Sequence, residues 1–417
     1  MSVFTRAKDM LKYEGVRSTA WRGAKWLNTR SNRFTEKPLA QVFPQDVIAV
    51  DWTQQRCFAP EPLVSETGRP QLAWVISPPG RSSGGHQNAY RFMKYLEDAG
   101  YDITLFIYSA SKYPKVSLEG IKAMLKTNSG YPELKASYRL YDPQEGITGD
   151  FDAIVASDWP TAYAAWRYDR NVPRLYWVQD FEPFFFPAGP DYVVAENSYR
   201  LGYQGIACGP WLAGKVTQAG GMPCAFYDYQ VDSSRYTRTN DERRDEIFFY
   251  ARPTTARRGT EFGLLVLEEV HRRRPEIVIN IAGWDMSHAG LNFPFVNHGT
   301  LDVSELPALY NRCASALLIS LTSVSLLPLE VMACGVVPVV NDADNTRISL
   351  NNNPGIDFVA MSPGRMAEHL IAAVDNKNQV SHSRKIAKAM EGGSWAGPGE
   401  VVVSVFNATL GLKKKKK

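Results

Sequence analysis

The sequence contains two consecutive series of short apolar runs that alternate with amphipathic stretches, and a polar segment separates the two series. The first series predicts strands at residues 72–77, 103–108, 153–156, 175–178 and 192–195, with a helix over residues 86–99. The second predicts strands at residues 247–251, 277–282, 316–319 and 336–340, with helices over residues 261–273 and 329–334. Strands that alternate with helices in this way form parallel sheets covered by helices. The chain is therefore predicted to be an α/β protein with two Rossmann-like domains.

The two series and their flanks set the predicted domain limits. The chain has 417 residues, which suits two ordinary domains, and residues 227–245 are polar and charged, as in a linker. The predicted parts are a basic helical N-terminal extension (1–70), a first Rossmann-like domain (71–230), a second one (245–390), a C-terminal segment that packs back on the first domain (391–412) and a lysine tail (413–417). Such domains bind ligands at the carboxyl ends of their strands, so we expect a site in the cleft between them.

Charge is concentrated at the two ends of the chain. Of the formal net charge of +4, residues 1–37 contribute +6 and residues 413–417 contribute +5, so the remainder carries −7. An acidic body argues against a nucleic-acid groove. The basic ends suit contact with an anionic membrane surface. Equally, the tryptophan-containing N-terminal stripe can pack on the protein itself, and the lysine run can be an added tail.

Membrane-spanning and metal-binding patterns are missing from the sequence. No apolar run reaches roughly 18 residues, and the first residues lack the apolar core of a signal peptide. We therefore expect a cytoplasmic protein, with peripheral contact to the inner face of the membrane as an option. The five cysteines show no CxxC spacing, which argues against a zinc site or a disulfide framework. We expect no metal and no other cofactor.

Two loops between a strand and a helix carry residues suited to phosphate binding. In residues 79–86, Gly84 and Gly85 let a ligand approach the backbone at a helix N-terminus. The same glycines also suit a plain turn, and the loop does not match the dinucleotide-binding GxGxxG motif. In residues 249–259, Arg252 and Arg258 follow a strand, and guanidinium groups donate paired hydrogen bonds to diphosphate oxygens. A solvated basic loop is equally compatible with that spacing.

The segment TSVSLLPLEVMACGVVPVV, residues 322–340, carries a third candidate site. A polar loop leads into a helix that opens near Pro328, and Glu330 lies in its first turn, where the helix dipole favours a carboxylate. That carboxylate suits hydrogen bonds from ribose hydroxyls, and the N–H groups of Ser325 and Leu326 suit a phosphate. The structural alternative is that Glu330 only caps its helix.

These three motifs together resemble the retaining, family-four GT-B glycosyltransferases. LPLEVMACGVVPVV is similar to their donor-site segment, and YARPTTARRG resembles their diphosphate segment, with Arg252 and Arg258 at the basic positions, one residue further apart than usual. NHGTLDVSELPALYNRCASALLIS, which includes Gly299 and Thr300, resembles the segment that borders the nucleotide base. The glycine pair in the first loop matches the family's glycine loop. The resemblance implies the GT-B fold, in which two Rossmann-like domains face each other across a cleft.

Thr322 departs from the family pattern, which usually has one glutamate at this position and a second at the position of Glu330. The resemblance implies that the first glutamate contacts hydroxyl groups of the donor sugar. Its replacement by threonine suggests a donor without the usual hydroxyl pattern, such as a 6-deoxy sugar, or a weakened or inactive site.

A narrower resemblance covers nearly the whole chain. YWVQDFEPFFFPAGPDYVVAENSYRLGYQGIACGPWLAG is similar to the matching stretch of the WsaF-type rhamnosyltransferases, which build bacterial surface (S-layer) glycans. It implies dTDP-β-L-rhamnose as donor and a rhamnose-containing glycan as acceptor, which we expect to be lipid-linked. Gln179, Asp180 and Glu182 lie just after a strand end, where a sugar is expected, and Asp158 follows another strand. The phenylalanines around them suit either sugar stacking or an interdomain core.

The resemblance implies a metal-independent transfer that retains the anomeric configuration. Arg252 and Arg258 would neutralise the leaving diphosphate, the Ser325 and Leu326 amides and the glycine loop would complete its cradle, and Glu330 would hold the ribose. Our candidate catalytic residues are therefore Arg252, Arg258, Asp158, Gln179 and Asp180. The candidate substrate contacts are Gly84, Gly85, Glu182, Gly299, Thr300, Thr322, Ser325, Leu326 and Glu330. The alternatives are a transferase for another nucleotide sugar, a GT-B epimerase or pseudo-enzyme, a dehydrogenase, which the missing fingerprint disfavours, and a membrane-surface scaffold.

Overall fold

The structure, a computed structural model, describes residues 41–412 with the exception of 55, 66–67, 82 and 111–115. Most of the predicted N-terminal extension and the whole lysine tail lie outside the described residues. The described part contains two parallel sheets, each covered by helices and joined by residues 228–245. The predicted α/β class with two Rossmann-like domains is confirmed.

The first sheet has seven parallel strands in the order β3-β2-β1-β4-β5-β6-β7. The strands are β1 (Gln71–Ile76), β2 (Asp102–Ile107), β3 (Ser137–Leu140), β4 (Ala153–Ala156), β5 (Arg174–Val178), β6 (Gln204–Cys208) and β7 (Cys224–Tyr227). The helices of this part of the chain are α1 (Pro44–Ile48), α2 (Gly84–Asp98), α3 (Leu118–Lys126), α4 (Trp159–Trp166), α5 (Pro190–Asn197) and α6 (Pro210–Gly220). Strand β1 is buried over nearly its whole length because β2 and β4 flank it and helices cover both faces.

The second sheet has six parallel strands in the order β10-β9-β8-β11-β12-β13. The strands are β8 (Glu246–Tyr250), β9 (Val278–Ala282), β10 (Val296–Gly299), β11 (Cys313–Leu318), β12 (Val337–Asn341) and β13 (Asp357–Val359). The helices that follow are α7 (Thr260–Arg273), α8 (Leu306–Tyr310), α9 (Leu327–Ala333), α10 (Asp344–Ser349), α11 (Pro363–Asp375), α12 (Gln379–Lys388) and α13 (Ala396–Thr409).

Each sheet has a point at which the order of its strands reverses, and this point positions the site. The reversal falls between β1 and β4 in the first sheet and between β8 and β11 in the second. The loops that leave neighbouring strands there diverge to opposite faces, which opens a crevice at the carboxyl ends. The loops after these four strands and after β5 carry most of the predicted site residues.

One predicted strand is wrong. Residues 192–195 form part of helix α5, which spans Pro190–Asn197. Proline at the first position of a helix and aspartate in its first turn both favour a helix start, and Pro190 and Asp191 supply this pair. An apolar run of four residues fits a strand or a buried helix equally well, so these flanking residues decide.

Helix α13 returns to the first domain after the chain has completed the second. The ring of Phe406 stacks on Trp74 of β1 with 6.2 Å between ring centroids. The hydroxyl of Tyr101 donates a hydrogen bond of 2.6 Å to Oδ1 of Asn407. The first domain is therefore completed by residues far from it in sequence.

The largest cluster of buried apolar residues is continuous between the two domains. It includes Trp74 in the first sheet, Tyr236 in the linking segment, Leu318 in the second sheet and Phe406 in α13. The linking segment is therefore partly buried, although its sequence is polar. In the described part of the chain, no helix is both long enough and apolar enough to span a membrane.

Candidate active site

A cleft of about 930 Å³ lies between the carboxyl ends of the two sheets. It is lined by most of the residues that the sequence singled out, which come from both domains. These residues are Gly84, Gly85, Asp158, Gln179, Asp180, Glu182, Arg252, Arg258, Thr300, Ser325, Leu326 and Glu330.

Two predicted substrate contacts do not line this cleft. Gly299 ends β10 in a left-handed conformation, with φ of 59°, and its carbonyl accepts a hydrogen bond from the Gly283 amide. It therefore shapes the turn that leads to Thr300. Thr322 is buried, and its hydroxyl donates a hydrogen bond of 3.0 Å to Oδ2 of Asp180. At the position of the family's first glutamate, this chain has a side chain directed at the other domain.

Arg252 and Arg258 approach the cleft from the loop after β8. The Arg258 guanidinium donates hydrogen bonds to the Ser320 hydroxyl (2.8 Å) and the Ser323 carbonyl oxygen (3.1 Å), and both acceptors are neutral. Among the described residues, no carboxylate lies within ion-pair distance of Arg258. The Arg252 guanidinium donates to the Tyr250 hydroxyl at 3.1 Å. This wall of the cleft therefore presents positive charge to whatever occupies it.

The carboxylate of Asp180 connects the two domains. It follows β5, and its side chain is almost completely buried. Oδ2 forms an ion pair with Nε of Arg257 at 2.9 Å, and Oδ1 accepts a hydrogen bond from the Ser323 amide at 2.9 Å. The Arg257 guanidinium also lies over the Phe185 ring, 3.8 Å from its centroid. The predicted interdomain role of the phenylalanine cluster therefore applies to Phe185.

Two carboxyl groups, Asp158 and Glu182, form an acidic pair on the first domain. Asp158 caps helix α4 by accepting a hydrogen bond from the Thr161 amide at 3.3 Å. Glu182 accepts from the Trp159 amide at 2.6 Å and from the Tyr176 hydroxyl at 3.2 Å. Burial raises the pKa of both groups, and the charge of Asp158 raises the pKa of Glu182 further, well above its ordinary value. Glu182 is therefore expected to keep its proton near neutral pH and to act as a hydrogen-bond donor.

The glycine loop places a helix N-terminus and a histidine at the cleft. Gly84 and Gly85 begin α2, and the Ser83 side chain does not cap this helix, so its first N–H groups face the opening. Burial lowers the pKa of His86 to about 4, so its ring is neutral. The ring lies between the Ser77 carbonyl oxygen, 3.0 Å from Nε2, and the Ser83 hydroxyl, 2.6 Å from Nδ1. These contacts fix the start of the helix.

Gln179 packs directly against the glycine loop. A Cβ atom at Gly85 would lie 2.6 Å from Oε1 of Gln179, so glycine is required there for this close approach. Oε1 is buried and has no hydrogen-bond partner among the described residues. Gln179 therefore has an unused acceptor beside the helix start.

Glu330 lies in the first turn of α9 without capping it. Burial raises the pKa of its carboxyl group to about 7, and the positive charges of Arg91 and Arg235 and a hydrogen bond from Tyr236 oppose this rise. The alternative that Glu330 only caps its helix is not observed. Its carboxyl group can change charge near neutral pH.

Sequence reasoning missed several residues that line the cleft, of which Arg91 and Arg257 are the most notable. Arg91 lies two turns after Gly84 on the same side of α2, and its guanidinium stacks on Trp395 at 4.3 Å from the ring centroid. The spacing of polar residues along α2 carries this signal. Arg257 adjoins Arg258 in sequence, but only the fold shows that the two side chains turn toward different partners. Among the described residues, no three His, Cys, Asp or Glu side chains cluster in a way that could hold a metal ion.

Comparison with known proteins identifies the second half of this site. Residues 245–371 match the family model described as WsaF, C-terminal domain. These residues are a WsaF C-terminal domain. The resemblance of this part of the chain to the WsaF type is thereby confirmed, and the WsaF C-terminal domain supplies Arg252, Arg258 and Glu330 to the cleft.

One curated relative and two solved structures extend this comparison. The O-antigen biosynthesis protein RfbC of Myxococcus xanthus is 34% identical over 231 residues, which is 54% of this chain and 18% of that protein. The chain therefore matches only a small part of this relative. S. aureus TarM, in complex with Fondaparinux, alpha-GlcNAc-glycerol and UDP, superposes with a TM-score of 0.62 at 10% identity, covering 81% of this chain and 100% of TarM. Anabaena HepE, in complex with UDP and glucose, gives 0.60 at 12% identity, covering 82% of this chain and 100% of HepE. At these identities the likeness shows the fold alone, and the predicted GT-B fold is confirmed.

Proposed function

We propose that this protein is a glycosyltransferase of bacterial surface-glycan assembly that transfers rhamnose from dTDP-β-L-rhamnose to a rhamnose-containing, lipid-linked glycan. We further propose that it retains the anomeric configuration and uses no metal. Support for the transferase and the pathway comes from the WsaF C-terminal domain and from the similarity to an O-antigen biosynthesis protein. Support for the donor comes from the sequence resemblance and from the chemistry of the cleft.

The observation that carries the proposal is the environment of Arg258. Its guanidinium faces the cleft and is hydrogen-bonded to two neutral oxygens, beside Arg252 and the loop that contains Ser325 and Leu326. A nucleoside diphosphate supplies the anion that this group lacks, because paired phosphate oxygens accept hydrogen bonds from guanidinium groups. In the transition state, the same groups stabilise the charge that develops on the leaving diphosphate.

Glu330 is suited to hold the ribose of the donor. Its carboxyl group lies in the wall that contains the arginines, and a carboxylate accepts hydrogen bonds from hydroxyl groups. Thr322 is directed at Asp180 and does not line the cleft. The donor pocket therefore lacks the glutamate that contacts sugar hydroxyls in the resembling family, which favours a 6-deoxy sugar.

The acceptor would bind on the side of the first domain. Asp158, Gln179 and Glu182 offer a mixture of donors and acceptors, which suits sugar hydroxyls. In the proposed step, the acceptor hydroxyl oxygen forms a bond to C1 of the donor sugar as the bond from C1 to the diphosphate oxygen breaks. The hydroxyl proton passes to the departing phosphate. Attack on the face that the diphosphate leaves retains the configuration at C1.

The test is a transfer reaction with dTDP-β-L-rhamnose and a short rhamnose-terminated acceptor, in the presence of a metal chelator. Mass spectrometry should detect the addition of one deoxyhexose. Arg258→Ala should lower the rate by about 10²- to 10³-fold, as expected for the loss of a preorganised charge-stabilising group. Arg272→Ala, which removes an exposed arginine on α7, is the matched control and should leave the rate unchanged.

Three outcomes would contradict parts of this proposal. Near-normal turnover by Arg258→Ala would remove the diphosphate assignment. Transfer from a UDP-sugar but not from dTDP-rhamnose would replace the donor. An inverted product, detected by NMR, would replace the retaining mechanism.

A further inference from the structure

Asp180 is a point of contact between the two domains whose hydrogen-bonding capacity is directed at protein groups. Its Oδ1 accepts hydrogen bonds from the amides of Phe181 and Ser323, both at 2.9 Å. Its Oδ2 accepts from Nε of Arg257 at 2.9 Å and from the Thr322 hydroxyl at 3.0 Å. Three of these four donors belong to the second domain, and the residue is only 5% exposed.

Ser323 links this contact to the arginine that faces the cleft. Its amide donates to Asp180 of the first domain, and its carbonyl oxygen accepts from the Arg258 guanidinium at 3.1 Å. The rest of the loop is held from the second domain, because the Asn345 side chain donates to the Ser320 carbonyl at 2.8 Å and also to the Thr322 carbonyl. The position of Ser323, and with it one of the two anchors of Arg258, therefore depends on the first domain.

We propose that Asp180 is a positioning residue that couples closure of the cleft to the orientation of Arg258. This inference rests on the proposed function, because it assumes that Arg258 binds the donor diphosphate. When the two domains are together, Asp180 fixes residues 320–323, and the Ser323 carbonyl fixes Arg258. When they separate, the loop loses three hydrogen bonds and Arg258 loses a defined acceptor. The full diphosphate site is thus assembled only in the closed molecule, and Asp180 acts without touching the substrate.

The first test is a double-mutant cycle between Asp180→Ala and Arg258→Ala, read as kcat/KM for transfer and as Kd for dTDP. Asp180→Ala alone should lower kcat/KM on the order of 10- to 100-fold, the range expected for losing hydrogen bonds to a charged group. Because Asp180 acts through Arg258, the double variant should be no worse than Arg258→Ala alone. Multiplicative losses would overturn the proposal, since they would mean that Asp180 acts on the substrate independently.

A second measurement keeps the inference testable if no transfer is observed. Hydrogen exchange of residues 320–326 in the ligand-free protein should be faster in Asp180→Ala than in the wild type, because the Ser323 amide loses its acceptor. Asp180→Asn retains an oxygen that can accept from this amide, so exchange and dTDP affinity should return toward wild-type values. Asp375→Asn, which weakens an exposed ion pair with Arg274, is the matched control and should change neither. Unchanged exchange in Asp180→Ala would overturn the coupling, whereas altered exchange without nucleotide binding would overturn only the proposed function.

Discussion

Glu330 is the residue at which burial and ligand binding compete most directly. Folding raises the pKa of its carboxyl group from the model-compound value of 4.5 to about 7. The folded protein therefore binds this proton more tightly than the unfolded chain does. The resulting stabilisation is fully present below pH 4.5 and is lost as the pH rises through about 7.

Glu330→Gln should become more stable relative to the wild type as the pH rises from 5 to 8. The difference in free energy of unfolding should grow by on the order of 2 kcal/mol, because the glutamine never carries the buried charge. Urea denaturation at the two pH values measures this change. Glu368→Gln, at an exposed position on α11, is the control and should differ little from the wild type at either pH. A pH-independent difference for Glu330→Gln would show that the carboxyl group is not desolvated.

At this scale, the sequence predicted the location of residues better than their partners. Asp158, Gln179 and Glu182 follow strand ends, and the rule that parallel strands bind ligands at their carboxyl ends correctly located them at the cleft. The same rule located Asp180, but its bonds to Thr322 and Ser323 join residues more than 140 positions apart in sequence. No local pattern encodes such a pairing, because it depends on how the two domains face each other.

Helix α13 depends on one close approach that only glycine permits. A Cβ atom at Gly399 would lie 2.6 Å from the ring of Tyr95 on α2, whereas a Cβ atom at Gly397 would meet nothing within 4 Å. The two glycines therefore make a matched pair on one helix.

Gly399→Ala should destabilise the protein by about 1–3 kcal/mol, since the extra methyl group forces α13 and α2 apart. Gly397→Ala should be neutral or stabilising by up to about 1 kcal/mol, because alanine reduces the conformational freedom of the unfolded chain. Chemical denaturation of both variants checks the prediction. Equal effects of the two substitutions would contradict this packing of the helices.

At the scale of elements, the pattern of short apolar runs predicted most strands to within a few residues. It failed for α5, where a run of four apolar residues lies beside the helix-starting pair Pro190 and Asp191. It also did not identify β3, β6, β7, β10 and β13, which are short, and β3 and β10 carry polar residues that lie at or near the edges of the sheets. A strand of three to five residues contains too few positions for alternation to be distinguished from chance.

The whole molecule combines two kinds of contact between its domains. A continuous apolar cluster joins the sheets through the linking segment. Polar contacts join them at the cleft, where Asp180 binds Arg257 and the Ser129 hydroxyl bonds to the carboxylate of Asp302. A large apolar interface restricts independent behaviour of domains.

We therefore expect the two domains to unfold together. Differential scanning calorimetry should show one transition, with a calorimetric enthalpy equal to the van't Hoff enthalpy. Two resolved transitions would mean that the apolar cluster does not couple the domains. The sequence predicted the division into two domains from the polar segment at 227–245, but it could not predict this coupling, because Tyr229, Val231 and Tyr236 are buried within that polar segment.

The return of α13 to the first domain has a consequence for synthesis on the ribosome. Strand β1 and its neighbours leave the ribosome early, but the residues that cover Trp74 follow only after the entire second domain has been made. At ~5–20 residues per second, this delay lasts roughly ten seconds or more. During that time the first domain exposes an aromatic surface to the cytosol, which makes the nascent chain a natural client for chaperones that bind apolar segments.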